Sequence, residues 1–312
     1  MHLFRGLTNC RTDGRGVAVA IGNFDGVHLG HQALVRAARE RALASGARLA
    51  ALTFEPHPRE YFDAAAAPPR LMRLGEKCAA LAALGVESLI VLRFDARLQH
   101  QTAEDFVAQT LCRGLGARHV VVGEGFRFGC RRAGTIETLA AAGARAGFEV
   151  VAVPSVTADG VRVSSTRVRE ALGAGNLAAA ARLLGRPYAM TGRVIYGQQL
   201  GRRLGYPTAN LRLHRRATPL GGVFAVEVGG LDGRPAAAAV ASLGNRPTIG
   251  GGETLLEVHL FDFDGDLYGR RLSVDFVAKL RDEEKFPSLD ALVVQMHADA
   301  TRAREILAAR AA

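Results

Sequence analysis

Two histidines three residues apart are the first side chains in the sequence whose spacing suits catalysis. They lie in the segment GNFDGVHLGH, from Gly22 to His31, directly after a short β-branched run. Glycines at positions 22, 26 and 30 permit a tight turn and a close approach of the backbone to a ligand. If the turn is helical, His28 and His31 share one face and can donate hydrogen bonds to the oxygens of a reacting phosphate.

The same residues allow two simpler interpretations. Glycines after a strand can form a turn and nothing more. Asp25, His28 and His31 could instead hold a metal ion, as in a metallohydrolase. A catalytic zinc site commonly uses three protein ligands with further hydrogen-bonding partners, and the neighbouring sequence has no diagnostic pattern for them. We therefore favour phosphate binding, with metal analysis as the test of the alternative.

A second set of polar side chains follows in the later half of the chain. The glycines of GRVIYGQQLGRRLGYPTANL, from Gly192 to Leu211, allow a backbone loop to surround phosphates, although the G-K-[ST] ending of a Walker motif is absent. On an extended backbone Thr208 and Asn210 would present both oxygens on one face, where magnesium could bind. Glu257, in LLEVHLFDF, is a strand carboxylate for which the pattern alone favours a structural role.

The elements that must position these residues change character near Gly185–Pro187. Before it, β-branched runs alternate with helical patterns, which predicts βαβ units and an open parallel sheet with ligands at the carboxyl ends of its strands. The predicted strands are Val17–Ile21, Arg48–Phe54, Ser88–Leu92, His119–Val122 and Glu149–Val153. The predicted helices are His31–Ala44, Glu76–Leu84, Thr102–Arg113, Gly134–Ala146, Ser165–Ala171 and Leu177–Leu184. We place the boundary at Arg186, which gives domains 1–186 and 187–312.

Beyond Arg186, short strand-like runs separated by glycine-rich turns predict an antiparallel barrel or sandwich. The runs are Ala189–Tyr196, Gly222–Val228, Ala236–Ser242, Thr254–Phe261 and Leu272–Phe276. A final helix, Ser288–Ala309, carries Leu289, Leu292, Val293 and Met296 on its predicted apolar face. The expected fold is therefore α/β plus β: a Rossmann-like sheet with helices, then a barrel with a terminal helix.

Composition limits the class of protein. The chain has 312 residues, of which 48% are hydrophobic and 22% charged, values typical of a globular protein of about two domains. The formal net charge of +10 favours anionic ligands. Because the arginines are scattered and Trp is absent, we expect small anionic substrates rather than nucleic acid or a membrane. The sequence leaves the oligomeric state open.

The cysteines and the amino-terminal residues indicate where in the cell the protein is expected. Cys10, Cys78, Cys112 and Cys130 form no C-x-x-C pair, so we expect reduced, mostly buried thiols. No apolar run approaches the roughly 18 residues of a membrane-spanning helix, and the first residues lack the apolar segment of a secretory signal. A cytoplasmic location is the resulting expectation.

The H-x-G-H spacing resembles the signature of the nucleotidyltransferase superfamily, and the longer segment resembles the adenylyltransferase half of bacterial bifunctional riboflavin kinase/FAD synthetases. Further motifs of that family follow in order: TFEPHPR at Thr53–Arg59, GEGFRFG at Gly123–Gly129 and VSSTRVR at Val163–Arg169. The resemblance makes His28 and His31 catalytic and places ATP at Gly22, Asn23, Phe24, Asp25, Gly26, Gly30, Ser165, Thr166 and Arg167. It places the flavin at Pro56, His57, Pro58, Phe126 and Arg127.

The later half resembles the riboflavin kinase domain of the same family. PTAN at Pro207–Asn210 is the most specific motif, and LGNRPTIGG, EVHLFDFDGDLYGRRL and KLRDEEKFPSLDAL extend the match. The resemblance makes Glu257 the general base and assigns Mg²⁺ to Thr208 and Asn210. It places ATP at Gly192, Gly197, Gly201, Arg202, Gly205, Pro207 and Thr208, and the flavin at Arg281, Glu284 and Phe286.

The resemblance implies two reactions, the phosphorylation of riboflavin by ATP to FMN and the adenylylation of FMN by ATP to FAD and pyrophosphate. Three positions depart from the family's pattern. Gly125 stands where an acidic residue commonly precedes F-R-F-G, Ser242 where Asn is usual, and Phe224 where Tyr is common. Gly125 leaves open an enzyme with kinase activity alone, and the net charge leaves open a basic nucleic-acid-binding or flavin-responsive regulator.

Overall fold

The computed structural model describes residues 1–8, 10, 14–197, 206–215, 217–245 and 254–311. By their contacts these residues form two units. The first consists of Met1–Pro68 and Arg73–Ser164, and the second of Pro69–Met72 and Ser165–Ala312. The helices between Ser165 and Arg186 therefore pack with the second unit. The domain boundary at Arg186 concerns function and stays a prediction.

A six-stranded parallel sheet organises the first unit, in the order β1-β4-β3-β2-β5-β6. Its strands are β1 His2–Arg5, β2 Val17–Ile21, β3 Arg48–Glu55, β4 Ser88–Arg93, β5 Ala117–Gly123 and β6 Glu149–Val153, and a hairpin of β7 Thr157–Ala158 and β8 Val161–Arg162 follows. All of β2 is buried, as is usual for the central strand of a parallel sheet. The chain leaves β2 toward β3 and returns later to add β5 on the other side, so the carboxyl end of β2 is the switch point where such sheets bind ligands.

The helices of the first unit are α1 Leu29–Ser45, α2 Pro58–Phe62, α3 Leu74–Ala83, α4 Ala96–His100, α5 Ala103–Asp105 and α6 Ile136–Ala146. The predicted helix Thr102–Arg113 is wrong in type for most of its length, because α5 continues as a π-helix over Phe106–Gly114. β1, α2 and α4 were not predicted, because at four or five residues they are too short to show a period.

The apolar core of the first unit lies between the sheet, the π-helix and α6. Val19, Ile21 and Leu52 from the sheet pack with Leu111 and Leu139 from these helices. The four cysteines are free, as predicted, but each is half-buried rather than mostly buried. Cys10 and Cys112 pack against the edge of the apolar core of the first unit, where a small thiol fills space without being fully enclosed.

A closed antiparallel barrel organises the second unit, in the order β10-β13-β12-β11-β14-β9. Its strands are β9 Tyr188–Ile195, β10 Ala209–Arg212, β11 Gly222–Gly229, β12 Ala237–Asn245, β13 Thr254–Leu260 and β14 Arg271–Arg281. In β13, Leu256 and Val258 are buried, whereas Glu257 and His259 are half-buried on the opposite face. The predicted fold class, a parallel α/β sheet followed by a barrel, is confirmed.

The helices of the second unit are α7 Ser165–Gly173, α8 Leu177–Leu184 and α9 Leu289–Ala311. The buried residues of α9 include Ala300, Ala303 and Leu307, which pack on Ala225 of the barrel. The predicted apolar face is misplaced at its start, because Leu289 is 58% exposed and lies before the part of the helix that meets the barrel. Within the described ranges, no helix is both long and apolar enough to cross a membrane.

A short segment, Pro69–Met72, belongs to the second unit although the chain on both sides of it belongs to the first. The Leu71 side chain is fully buried. The Tyr188 hydroxyl donates to the Leu71 carbonyl at 3.0 Å, and Arg215 donates to the Arg70 carbonyl at 2.8 Å. This segment is therefore a packed and hydrogen-bonded part of the second unit.

Candidate active sites

β2 leads into a turn of fixed shape at the switch point of the sheet. Phe24 and Val27 have positive φ values of 49° and 43°, and both side chains are buried. Asp25 and His28 in the same turn are also buried. Left-handed backbone at non-glycine residues is uncommon and persists where the surroundings hold it, so the turn is a preorganised element.

The rings of His28 and His31 stack with centroids 3.7 Å apart and an interplanar angle of 15°. His28 Nδ1 accepts a hydrogen bond from the His31 backbone N–H at 3.3 Å, so a neutral His28 carries its proton on Nε2 and can donate from there. A Cβ at Gly30 would lie 3.2 Å from the His28 ring, so the absence of a side chain at Gly30 leaves room for that ring. Burial, and then the charges of His28 and Lys77, lower the pKa of His31 well below its usual value.

Lys77 is a buried cation near this turn that the sequence analysis missed. Its Nζ donates to Thr53 Oγ1 at 3.4 Å, and the Thr53 hydroxyl donates to the Asn23 carbonyl at 3.2 Å. These bonds connect α3 and β3 to the turn after β2. Lys77 lies on the buried side of α3 with Leu81, four residues later, and that placement of a charge among apolar positions was the available signal.

The structure does not support the metal site considered for Asp25, His28 and His31. In the part of the chain that the structure describes, no group of three or more His, Cys, Asp or Glu side chains is placed to hold a metal ion. Instead, the two imidazoles contact each other, and His28 caps α1. The described geometry leaves Nε2 of a neutral His28 as a donor and offers no three-ligand set.

A cavity of about 980 Å³ lies at the carboxyl ends of the strands in the first unit. Its wall includes residues that lie one or two positions after the ends of β2, β3, β4 and β5. Two predicted ATP residues and four predicted flavin residues meet there: Gly22, Asn23, His57, Pro58, Phe126 and Arg127. Pro56 is not among its described lining residues. Segments far apart in sequence thus form one site at the ligand-binding edge of the sheet.

Aromatic rings form much of the cavity wall, and most of them were missed from the sequence. The lining includes Phe54, Phe62, Phe94, Phe126 and Phe128. Phe126 and Phe128 stack with centroids 5.6 Å apart, and Phe62 and Phe94 meet edge to face at 5.7 Å. Phe62, the last residue of α2, is 63% exposed. Phe94 directly follows β4, and an aromatic residue at the end of a strand was the available signal. Such a wall suits a planar ring system.

Gly125 also lines the cavity, and a Cβ at this position would have no neighbour within 4 Å. The carboxylate of the neighbouring Glu124 does not take the place of one at position 125. Glu124 accepts a hydrogen bond from Ser155 Oγ, and this bond lowers the pKa of Glu124. The cavity therefore has space for a side chain at position 125 but no carboxylate there.

Ser165, Thr166 and Arg167 form the first turn of α7, in the second unit. Arg167 Nη1 lies 2.9 Å from Glu170 Oε2 on the same helix. Their contact with ATP stays a prediction, as does that of the buried turn residues Phe24, Asp25 and Gly26.

The barrel brings the predicted magnesium ligands and the predicted base together. Asn210 of β10 is paired with Glu257 of β13, and Glu257 is paired with Ser242 of β12. Residues directly opposite one another in antiparallel strands point to the same face, so these side chains form one polar row. Thr208 lies two residues before Asn210 and immediately precedes β10.

The residues around Asn210 fit a magnesium ion bound beside phosphates. A Cβ at Gly197 would lie 2.4 Å from the Asn210 amide nitrogen, so glycine is needed for the backbone to come this close. Hydroxyl, amide and carboxylate oxygens are the donors that Mg²⁺ prefers. Gly192 packs tightly on Leu211 in the adjacent strand. Gly201, Arg202 and Gly205 lie outside the described residues.

Two imidazoles that the sequence analysis missed anchor the PTAN segment. His259 Nδ1 donates to the Pro207 carbonyl at 2.9 Å. The Tyr206 hydroxyl hydrogen-bonds to His297 Nδ1 on α9. The backbone that precedes Thr208 is therefore attached to both β13 and the terminal helix.

Arg281 contacts the other two predicted flavin residues of the barrel, Glu284 and Phe286. Its Nη1 lies 3.3 Å from Glu284 Oε1, and its guanidinium carbon lies 5.4 Å from the centre of the Phe286 ring. Its Nη2 donates to the buried Asp299 of α9 at 2.9 Å. Asp299 was not predicted from the sequence, although an acidic residue beside the alanines of a buried helix face was a usable signal.

The other departures from the family's pattern are accommodated locally. Ser242 Oγ donates to Glu283 Oε1 at 3.4 Å. Phe224 is fully buried and meets Phe276 edge to face at 5.2 Å. A hydroxyl at position 224 would need a partner in this apolar contact, and Phe needs none.

Comparisons with known proteins cover both halves of the chain. The FAD synthetase family model matches residues 10–167, and the riboflavin kinase model matches residues 184–307. A Pseudomonas fluorescens protein named bifunctional riboflavin kinase/FMN adenylyltransferase is 48% identical over 99% of this chain and 98% of its own length. The chain belongs to the bifunctional riboflavin kinase/FMN adenylyltransferase family. It is an enzyme with both activities, whose substrates are riboflavin, FMN and ATP.

Other members of this riboflavin kinase/FMN adenylyltransferase family are similarly close. The Haemophilus influenzae relative is 46% identical over 97% of this chain and 98% of its own length. The Escherichia coli K12 relative is 44% identical over 98% and 97%. A solved Streptococcus pneumoniae structure, described as a macrolide-efflux protein, has a TM-score of 0.81 and 34% identity over 96% of this chain and 97% of that chain. The last comparison confirms the fold.

Proposed function

We propose that the enzyme makes FAD in two steps at separate sites, with riboflavin kinase in residues 187–312 and FMN adenylyltransferase in residues 1–186. The observation that carries the proposal is the cross-strand pair Asn210–Glu257, in which the proposed base lies opposite one of the proposed magnesium ligands. The stacked His28–His31 pair at the switch point of the sheet supports the second site.

In the kinase step, Glu257 accepts the proton of the ribityl 5′-hydroxyl. The hydroxyl oxygen then forms a bond to the γ-phosphorus of ATP, the bond between that phosphorus and the bridging oxygen breaks, and ADP leaves. Thr208 and Asn210 would hold magnesium, which when bound neutralises charge on the β- and γ-phosphates. Arg281, Glu284 and Phe286 bind the flavin.

In the adenylylation step, an oxygen of the FMN phosphate attacks the α-phosphorus of ATP. The bond from that phosphorus to the bridging oxygen breaks, and pyrophosphate leaves. The phosphate nucleophile is already anionic, so His28 and His31 are not needed as bases. They donate hydrogen bonds to the charge that develops on the phosphate oxygens. The lowered pKa of His31 keeps that ring neutral near pH 7.

The test is a reciprocal pair of variants. Glu257→Gln removes the base, and we expect kinase kcat to fall by at least about 100-fold while adenylylation of supplied FMN is unchanged. The double variant His28→Ala with His31→Ala should lose FAD formation by a similar factor and keep kinase turnover. Chromatographic separation of riboflavin, FMN and FAD measures both rates. Parallel loss of both activities in either variant would contradict the assignment of separate sites.

A further inference from the structure

We propose that Arg131 and Arg132, together with Arg127, bind the 5′-phosphate of FMN and so make the adenylyltransferase cavity select FMN over riboflavin. The inference rests on the proposed function of the first unit and adds a substrate-selecting role for two residues that no motif assigned.

The three arginines line the cavity that holds Gly22, Asn23 and the aromatic wall. The wall supplies faces and edges for a planar isoalloxazine ring. The arginines supply planar donors that match the geometry of a phosphate. The cavity thus combines the two surfaces that a flavin ring with an anionic tail requires.

The charge of this wall is not balanced by acidic residues of the cavity. None of its described lining residues is Asp or Glu, and Arg59 adds a fourth guanidinium. Within the described ranges, Arg131 and Arg132 make no ion pair and no side-chain hydrogen bond, and both are exposed. Their donors are therefore available to an anionic ligand, and Gly125 contributes no carboxylate that would oppose it.

The turn that carries these arginines is held in an unusual backbone conformation. Arg131 and Arg132 have φ values of 53° and 59°, which non-glycine residues rarely adopt. Phe128 and Gly134 exchange backbone hydrogen bonds of 3.2 and 2.9 Å, and the Cys130 N–H donates to the Gln101 carbonyl at 2.7 Å. Strain of this kind clusters at ligand-binding positions, and here the backbone that carries the two arginine side chains is already shaped before the substrate arrives.

The test uses the full chain and measures FAD formation from FMN and ATP. For Arg131→Ala with Arg132→Ala we expect KM for FMN to rise at least about tenfold, while kcat and KM for ATP change less than about twofold. The inhibition constant of 5′-deoxyriboflavin, which lacks the phosphate and cannot be phosphorylated, should not change. Arg97→Ala, an exposed arginine on α4 outside the cavity lining, is the matched control and should behave as wild type.

Three results would overturn the inference. The first is an unchanged KM for FMN, and the second is a rise confined to KM for ATP or to the inhibition constant of pyrophosphate. The third is weaker binding of 5′-deoxyriboflavin in parallel with that of FMN. The second result would assign the arginines to the phosphates of ATP, and the third would indicate damage to the cavity wall. If the alanine variant does not fold, Arg131→Gly with Arg132→Gly fits the left-handed backbone and gives the same test. Failure of the wild-type chain to make FAD would instead contradict the proposed function itself.

Discussion

His31 combines a buried ring with a position in the proposed catalytic pair. Burial disfavours the charged imidazolium, and the nearby His28 and Lys77 disfavour it further, so the pKa of His31 is lowered on folding. The folded state then binds a proton less readily than the unfolded state. The unfolding free energy contributed by this group is complete above the unfolded pKa of about 6.5 and is lost as the pH falls below it.

We therefore predict that His31→Gln weakens the acid sensitivity of stability. Between pH 7.5 and 5.5 the wild type should lose up to about 1.4 kcal/mol more unfolding free energy than the variant, since one pKa unit corresponds to about that energy. Denaturant unfolding at pH 7.5, 6.5 and 5.5 measures the difference. The exposed His100 supplies the control, and His100→Gln should follow the wild-type pH dependence.

Individual residues were predictable from the sequence where their partners are close in the chain. The spacing of His28 and His31 and the PTAN segment indicate the proposed chemistry without knowledge of the fold. Lys77, His297 and Arg131 were not found, because their importance depends on contacts or backbone angles that only the folded chain creates. Tyr206 and its partner His297, for example, are 91 residues apart.

The terminal helix α9 stabilises the barrel and also orders its proposed flavin loop. Asp299 on this helix receives hydrogen bonds from Arg281 Nε at 3.0 Å and Nη2 at 2.9 Å, and Gln295 donates to it at 3.0 Å. Arg281 in turn contacts Glu284 and Phe286. Removing the buried carboxylate would leave a mostly buried guanidinium without its main partner.

Asp299→Ala should lower the unfolding free energy of the barrel by about 3 kcal/mol, the usual effect of breaking a buried ion pair. It should also raise KM for riboflavin in the kinase reaction, because Arg281 then no longer fixes the loop. Glu305→Ala removes an exposed ion pair with Arg302 on the same helix and should change stability by less than about 1 kcal/mol. Equal effects of the two substitutions on both measurements would show that Asp299 acts only as part of the helix surface.

At the level of elements, the sequence predicted the long periodic segments well. The strands of both units and the terminal helix are present, because alternation and helical spacing are strong over their lengths. The short β10 could be predicted only on the condition that the backbone around Thr208 and Asn210 is extended. Its register against β13 brings Asn210 opposite Glu257, and such pairing is set by the closure of the barrel rather than by either strand alone.

The second unit includes a segment from the part of the chain that the FAD synthetase model matches. Leu71 lies in that matched range, yet it is fully buried in the second unit. We predict that Leu71→Ala destabilises the kinase half by about 2–5 kcal/mol, the usual effect of removing a buried leucine side chain. Kinase activity should therefore be lost at a lower temperature than in the wild type.

The measurement compares residual kinase and adenylyltransferase activities after heating. The kinase activity of Leu71→Ala should decay first, with adenylylation less affected. Leu43→Ala, which truncates a leucine that is 75% exposed, should leave both heating curves unchanged. Earlier loss of adenylylation than of kinase activity would show that Leu71 supports the first unit instead.

Because Pro69–Met72 belongs to the second unit, dividing the gene at one point separates this segment from the rest of that unit. A single cut, whether before Ser165 or after Arg186, yields a carboxyl-terminal product without Leu71 and without the carbonyls that Tyr188 and Arg215 bond. Truncated kinases prepared from this enzyme should therefore be less robust than the intact polypeptide, and supplying the missing tetrapeptide, by fusion or circular permutation, is the logical remedy.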